Sequence, residues 1–520
     1  MQPIPYSPTL MKTLFTLLLL AAGIAPASAQ YQTPGTGVRW TLAQLAAATG
    51  SNVASTGPGQ YAIAGNLRLR ATDTLVISTN ATVRIASLAE INIDGVLLVN
   101  PPDSVKFTAQ TSTAPFHSFW FSATSNAVLR KTIVEYGGGL KTVDAGLLLD
   151  SCVVRYQVAR IGTVNTNSGA INISGGAPRI LNSLIYGNAR SAIASPSNRP
   201  TAPIIRNCVI RDNNTENGNY PQINLGIGGA TPTVITGNRV IGRYNMAGGI
   251  AISNLLGTAA VTDVEIRRNY VANNRYGIAV LGSNITSRIV RNIVENNNTN
   301  PNANTGGSGL NFQGGATNTG VVSRNILRGN LWGVTMLRTS TTSAAPGPTV
   351  SFGDVSSPDS LNVGLNLIYN NGNGGQVYDF YLNMPDNVMA QNNDWGSSSA
   401  AVIESHIVHQ VDQPSLGLLS FQPFRQTIVS SSRQGSAQLL GLGLGLYPNP
   451  AREQLLLRLE AAGPATVQLR DAQGRVALRR VLTPAEGHLR VPVSGLAAGL
   501  YTVEVEQQGR RATAKVAIGE

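Results

Sequence analysis

The chain is short of charge: Asp, Glu, Lys and Arg make up 12% of its 520 residues, roughly half the usual share. Neutral polar groups must therefore wet its surface, and Asn, Ser, Thr and Gly fill that role. The net charge of +12 is spread along the chain. The Lys/Arg block that tracks nucleic acid is missing, which excludes a nucleic-acid partner. A spread basic balance does tolerate polysaccharide or lipopolysaccharide nearby. Histidine is scarce: His117, His406, His409 and His488 fall in no repeat row. His406 with His409 alone is too little for a metal site, so no metal or cofactor is expected. Beyond the N-terminus no apolar run reaches the ~18 residues of a membrane span, so the mature chain has no transmembrane segment.

What is abundant is turn residues, with 55 Gly and 27 Pro and no collagen-like period, which argues for many turns over long helices. At the start, Met11-Lys12 precedes the apolar run Leu14 to Ala22, and Ala27-Ser28-Ala29 offers small residues for cleavage. Residues 1–29 therefore read as a signal peptide, with Met11 as an alternative start.

One phrase recurs: an aliphatic, a small polar residue three positions on, a second aliphatic two further, then usually Asn. Ile266, Asn269, Val271 and Asn274 form one copy; Ile289, Asn292, Val294 and Asn297 form another. Aligned, the first aliphatic row is Leu129, Leu149, Ile180, Ile205, Ile235, Ile266, Ile289, Val322 and Val363. The second is Val134, Val154, Ile185, Ile210, Val240, Val271, Val294, Leu327 and Ile368. Neither row contains a polar residue. The copies lie about 20 to 41 residues apart, the range of solenoid repeats. Each phrase is too short for helices and rich in β-branched residues, so it predicts short strands stacked into long parallel sheets. Residues 61–110 alternate in the same way without the Asn row. Long stretches at 214–233, 296–320 and 339–362 read as inserts.

Between the aliphatics runs a polar row: Thr132, Cys152, Ser183, Cys208, Asn238, Asn269, Asn292, Asn325 and Asn366. Asn tolerates left-handed turns and can bond to the Asn of the next coil at the ~4.8 Å strand spacing. These residues are expected to be scaffold. Cys152 and Cys208 share the row with Ser183 between them, which sets them roughly 10 Å apart, beyond the ~7 Å reach of a disulfide. Both are expected to be reduced and buried.

Phe116 to Phe121 and the following Ile133-Val134-Glu135-Tyr136-Gly137 resemble a passage of extracellular β-helix proteins. Asn393-Asp394-Trp395-Gly396 resembles the closing coil of the pectate-lyase-like superfamily, with Trp395 capping the last coil. The resemblance covers about residues 60–426 and implies an all-β, right-handed parallel β-helix solenoid of about ten or more coils. Residues 30–60 form its N-terminal cap segment, 61–426 the β-helix and 427–446 a linker. Past the linker, Tyr447-Pro448-Asn449-Pro450 opens a block with alternation at Leu455, Leu457, Leu459, Val467, Leu469, Leu489, Val491 and Val493. Such alternation predicts a small β-sandwich over 447–520. This block resembles the type A C-terminal sorting domain of the type IX secretion system, with Gly499, Tyr501 and Lys515 completing the match. The resemblance implies type IX secretion machinery as partner and a secreted or outer-membrane surface-attached destination. The chain is expected to be a monomer.

Activity is less legible. A hydrolase needs carboxylates gathered on one face, and a lyase needs a base with a cation for the substrate carboxylate. Glu135, Asp150, Asp212, Asp263, Glu265 and Glu295 are scattered instead. The residue after the second aliphatic is Arg155, Tyr186 and Arg211 on successive coils. If outward-facing, these form a basic and aromatic strip suited to an acidic sugar. Tyr276 and Trp332 share another coil position, each before a Gly. The expectation is a glycan-binding or structural protein; the alternative is a polysaccharide lyase or glycoside hydrolase with its site on the long inserts.

Overall fold

A computed structural model describes residues 30–50, 52–166, 169–339, 345–425, 445–447, 451–458, 463–471, 473–484, 488–507 and 510–519. Residues 1–29, expected to be a signal peptide, nearly all of the expected linker 427–446, Pro448-Asn449-Pro450 and Leu459 lie outside these residues. The chain divides into two compact units, the first ending at Gln426 and the second beginning at Thr427.

The first unit is a parallel β-helix. Its strands stack into sheets of 14, 13 and 12 strands, and each coil gives one strand to each sheet in turn. One coil shows the plan: Thr262–Arg267 in the 12-stranded sheet, Tyr270–Ala272 in the 13-stranded sheet and Ile278–Gly282 in the 14-stranded sheet. Side chains alternate in and out along each strand, so Val264 and Ile266, Val271, and Ile278 and Val280 line the core of this coil.

The aliphatic rows align across the sheets. Val134, Val154, Ile185, Ile210, Val240, Val271, Val294, Leu327 and Ile368 are direct neighbours along the 13-stranded sheet. None is more than 2% exposed. Leu129 through Val322 do the same in the 12-stranded sheet. The last member of that row is a correction. Phe352, fully buried at the end of strand Thr349–Ser351, takes the place expected for Val363. A loop over 353–365 separates this strand from its Asn, so counting back from Asn366 lands in the loop.

The supposed inserts are corrected as well. Stretches 214–233 and 296–320 carry the strands Ile223–Leu225 and Ser308–Gly314 of the 14-stranded sheet. The repeated phrase covers only two strands of each coil, and the third follows a loop of variable length.

The asparagines form two internal ladders. Asn238, Asn269, Asn292, Asn325 and Asn366 each donate a backbone N–H and Nδ2 to Oδ1 of the next, at 2.9–3.0 Å, and the series ends on Asn393, which accepts both bonds from Asn366. The remaining Nδ2 hydrogen goes to a carbonyl of the preceding coil, for example Asn292 to Ile266 at 2.8 Å. Each amide is thereby satisfied without water. A second ladder links Asn274, Asn297, Asn330 and Asn371 and ends on the Asp379 carboxylate. The turn geometry departs from expectation, since the left-handed residue is the one before each first-ladder position. Lys131, Ser151, Asn182, Asn207, Arg268, Arg291, Arg324, Leu365 and Asn392 take φ of 47–61° there. That residue reverses the chain, which leaves the Asn pointing inward with its amide free to bond.

Cys152 and Cys208 are free and buried. Burial raises their thiol pKa values to about 11 and about 12. At the N-terminal end, helix Leu42–Ala48 is held by a Thr41–Gln44 capping box and buries Leu42 and Leu45. Gln30–Gln32 and Arg39–Trp40 already pair in the sheets, and Val53–Gly57 pairs antiparallel with Gln60–Ile63. At the far end Trp395 is 1% exposed and packs edge-on against Phe421.

In the second unit Gly445–Tyr447, Gln454–Arg458 and His488–Pro492 form one sheet; Ala465–Arg470, Val476–Leu482, Gly499–Gln507 and Arg510–Ile518 form another. Leu455, Leu457, Val467, Leu469, Leu489, Val491 and Val493 fill its core. Tyr501 joins them and donates its hydroxyl to the Ala497 carbonyl at 2.8 Å. Gly499 opens its strand, and Lys515 lies exposed on the neighbouring one.

Candidate functional site

Glu135, Arg155, Tyr186 and Arg211 are direct neighbours on successive strands of the 13-stranded sheet. Arg155 donates Nε to Glu135 at 2.8 Å and Nη1 to the Tyr186 hydroxyl at 2.7 Å. Burial works against the Arg155 charge, but the bonds to Tyr186 and Glu135 outweigh it and raise its pKa above the ordinary value. Burial raises the Tyr186 pKa, yet the bonds with Arg155 and Tyr156 prevail and leave it lowered. Arg211 lies over the Tyr186 ring at 4.8 Å and pairs with Asp212.

Two tyrosines complete this cluster and were not among the sequence candidates. Tyr136 and Tyr156 occupy the corner where the chain leaves the 13-stranded sheet, with φ of 57° and 55°. Other coils place Gly187, Asp212, Asn273, Asn296, Gly329 and Asn370 there, the residues that tolerate a left-handed backbone. A tyrosine at that φ is strained, and two successive coils carry one. Their rings stack at 5.3 Å, and Tyr186 meets Tyr156 edge-on at 5.5 Å. Tyr156 is 37% exposed, so the stack presents aromatic surface to solvent. Lys106 reaches Glu135 at 3.9 Å. The local balance is three cations (Lys106, Arg155, Arg211) against two carboxylates (Glu135, Asp212).

Trp332 pairs with Ser308, and Gly277, next to Tyr276, donates its N–H to the Ser308 carbonyl, so the two aromatics share a coil position, apart from this cluster. Tyr276 packs over Gly248, where a Cβ would lie 2.2 Å from its ring; burial raises its pKa to about 12. Trp332 donates its indole N–H to the Ala303 carbonyl at 2.9 Å and meets the rings of Tyr378 and Tyr381 at 4.7 and 5.1 Å.

The scattered acids each face an arginine. Asp150 pairs with Arg130, Asp263 with Arg288, Glu265 with Arg267 and Glu295 with Arg328. A glycosidase needs two carboxylates facing one bond, and these are engaged elsewhere. Among the described residues no three His, Cys, Asp or Glu are grouped to hold a metal. One acid stands out. Asp379 is fully buried at the end of the second ladder, with Oδ2 3.2 Å from Nδ1 of His406. Desolvation raises its pKa to about 7 and lowers that of His406.

Residues 145–326 match the family described as a right handed beta helix region, and residues 445–519 match the secretion system C-terminal sorting domain. No curated protein matches the chain. No helix among the described residues is long and apolar enough to cross a membrane. With its coils stacked as described and its sandwich matching a sorting domain, the chain is a right-handed parallel β-helix protein exported by the type IX secretion system to the cell surface or beyond.

Proposed function

We propose that the β-helix is a rigid secreted scaffold that binds a glycan on the Tyr136–Tyr156–Tyr186 corner, with Arg155 and Arg211 beside it. The observation that carries this reading is the pair of strained tyrosines. A left-handed backbone costs about 1–2 kcal/mol for a side chain other than Gly, Asn or Asp, and such strain gathers at functional positions. Here it brings ring faces into an exposed stack, and a flat ring suits the apolar face of a sugar. Arg155 is fixed by Glu135 and Tyr186, so it can donate to a sugar hydroxyl or carboxylate without further ordering.

The test compares the intact chain with a Tyr136→Asn/Tyr156→Asn variant by affinity electrophoresis through neutral and acidic polysaccharides. Asn is native to this corner on other coils, so the fold is kept. The expected result is retention by at least one polysaccharide and a loss of roughly tenfold in the variant, at about 0.5–1.5 kcal/mol per ring. Equal retention of both proteins sinks the reading. New reducing ends or an unsaturated product would replace it with hydrolysis or elimination.

A further inference from the structure

A second corner carries a different chemistry. Where the chain passes from the 12-stranded to the 13-stranded sheet, the left-handed position is held by Arg268, Arg291 and Arg324 on consecutive coils, with φ of 56°, 59° and 59°. Consecutive coils stand about 4.8 Å apart, so three like charges lie in register, an arrangement that is destabilising in itself. None of the three side chains has a hydrogen bond or ion pair with any described residue. Their neighbours differ: Arg267 pairs with Glu265 and Arg288 with Asp263, each at 2.7 Å. These five arginines, with Glu265, Val290 and Leu361, line a hollow of about 160 Å³. Five guanidiniums against Glu265 and Asp263 leave it with an excess of three positive charges.

Both the backbone strain and the repulsion run against folding, and among the described residues no carboxylate pairs with any of the three arginines. We propose that Arg268, Arg291 and Arg324 form a binding site for an acidic polysaccharide laid along the helix axis, its carboxylates or sulfates each met by one guanidinium. Arginine suits this ligand because its fork pairs bidentately with an oxyanion. A single-stranded nucleic acid is the poorer fit, since such strands are held by stacking on aromatic rings and the hollow is lined by none. The site lies on later coils and a different corner from the tyrosine stack, so neither proposal depends on the other.

The experiment titrates the intact chain with polygalacturonate, dextran sulfate, neutral dextran and a single-stranded oligonucleotide, at low and moderate salt. The test variant is Arg268→Asn/Arg291→Asn/Arg324→Asn, since Asn182, Asn207 and Asn392 hold the same φ on other coils. A charge-matched control is Lys131→Asn/Arg179→Asn/Arg206→Asn. The expected result is binding to an acidic polysaccharide that weakens tenfold or more in the test variant and flattens in its salt dependence, with less than a threefold change in the control. The Tyr136→Asn/Tyr156→Asn variant should keep this salt-dependent binding. The proposal is overturned if no acidic polysaccharide binds, if both triple variants weaken binding alike, or if the oligonucleotide binds more tightly than either polysaccharide.

Discussion

The early and late coils of the β-helix solve one problem with different side chains. From Asn238 to Asn393 every first-ladder position is Asn, and each up to Asn366 gives two bonds to the next. In the earlier coils Thr132, Cys152, Ser183 and Cys208 hold the same place. There Ser183 accepts one bond, from the Cys152 N–H at 3.0 Å, and spends its own proton on Leu181 of its own coil. At this first-ladder position the early coils thus rely on their aliphatic rows and sheet ladders, with an amide seam only at the second position, through Gln157, Asn188 and Asn213, whereas the late coils carry Asn ladders at both. The corners follow this division. Arg268, Arg291 and Arg324 each directly precede a ladder Asn, so a strained residue is followed by one fixed by five or more hydrogen bonds. Strain persists where the surroundings over-determine the backbone, and the ladder supplies that.

The most forceful way to break this comparison is to cut the ladder. Asn292→Leu removes the acceptor for both Asn269 donors and the donor to Ile266. Buried groups left without partners cost about 1–3 kcal/mol each, so a loss of about 3–5 kcal/mol is expected. Ser183→Ala should cost only about 1 kcal/mol. Guanidinium unfolding of both variants reads the difference, and equal losses would mean that the seam contributes nothing special.

The second effect is smaller and depends on pH. Asp379 closes the second ladder with a pKa raised from 3.8 to about 7. The folded chain therefore holds a proton there that the unfolded chain has released. Its contribution is complete below pH ~4 and is lost as pH rises through about 7, by a few kcal/mol at most. His406, with its pKa lowered, works the other way and disfavours the fold as pH falls below ~6.5. Asp379→Asn keeps the acceptor for Asn371 and removes the first effect. Stability of the variant should exceed that of the parent at pH 8 and fall below or match it at pH 5, as read by thermal unfolding across that range. A parallel shift at both values would refute the raised pKa.

How much of this could be read beforehand follows the same physics. Burial in a strand demands aliphatics at fixed offsets, so the rows through Val134 and Leu129 were visible, as was the alternation from Leu455 to Val493. The third strand of each coil was hidden, because the loops before Ile223 and Ser308 vary in length and break the count. Phe352 was missed for the same reason. At the candidate site, Arg155, Tyr186 and Arg211 were legible as a row and the structure brings them together. Tyr136 and Tyr156 were not singled out, since what marks them is backbone φ. That became readable only once Asn273, Asn296 and Asn370 were known to share their corner. Tyr276 shared a coil position with Trp332, but shared register does not tell which neighbours each ring meets, Gly248 for one and Tyr378 and Tyr381 for the other.

Exchanging the corner residues sharpens that last point. Asn273→Tyr places a ring at the same φ on a coil whose equivalent neighbours, Gly242 and Asn296, offer none to stack on, and should cost the full ~1–2 kcal/mol of left-handed strain. Tyr156→Asn relieves that strain but loses the stack with Tyr136, about 0.5–1.5 kcal/mol. It should therefore change stability by less than about 1 kcal/mol in either direction. If thermal unfolding finds Tyr156→Asn strongly destabilising, the tyrosine is there to hold the fold, and the glycan-binding argument loses its main support.

The smallest effect concerns the early seam itself. Cys152 and Cys208 donate their thiols to carbonyls of the preceding coil, at 3.2 Å to Leu129 and 3.4 Å to Ile180. With pKa values near 11 and 12, almost no thiolate exists at neutral pH, and the thiolate is the reactive form. Iodoacetamide should leave both untouched in the folded chain and label both after denaturation, and a reducing agent should not move the unfolding midpoint. Cys208→Ser keeps a donor of similar size at the same place, so its cost should stay within about 1 kcal/mol. Rapid labelling of the native chain would place these residues at a breathing seam, and the early coils would then be the part of the helix that opens first.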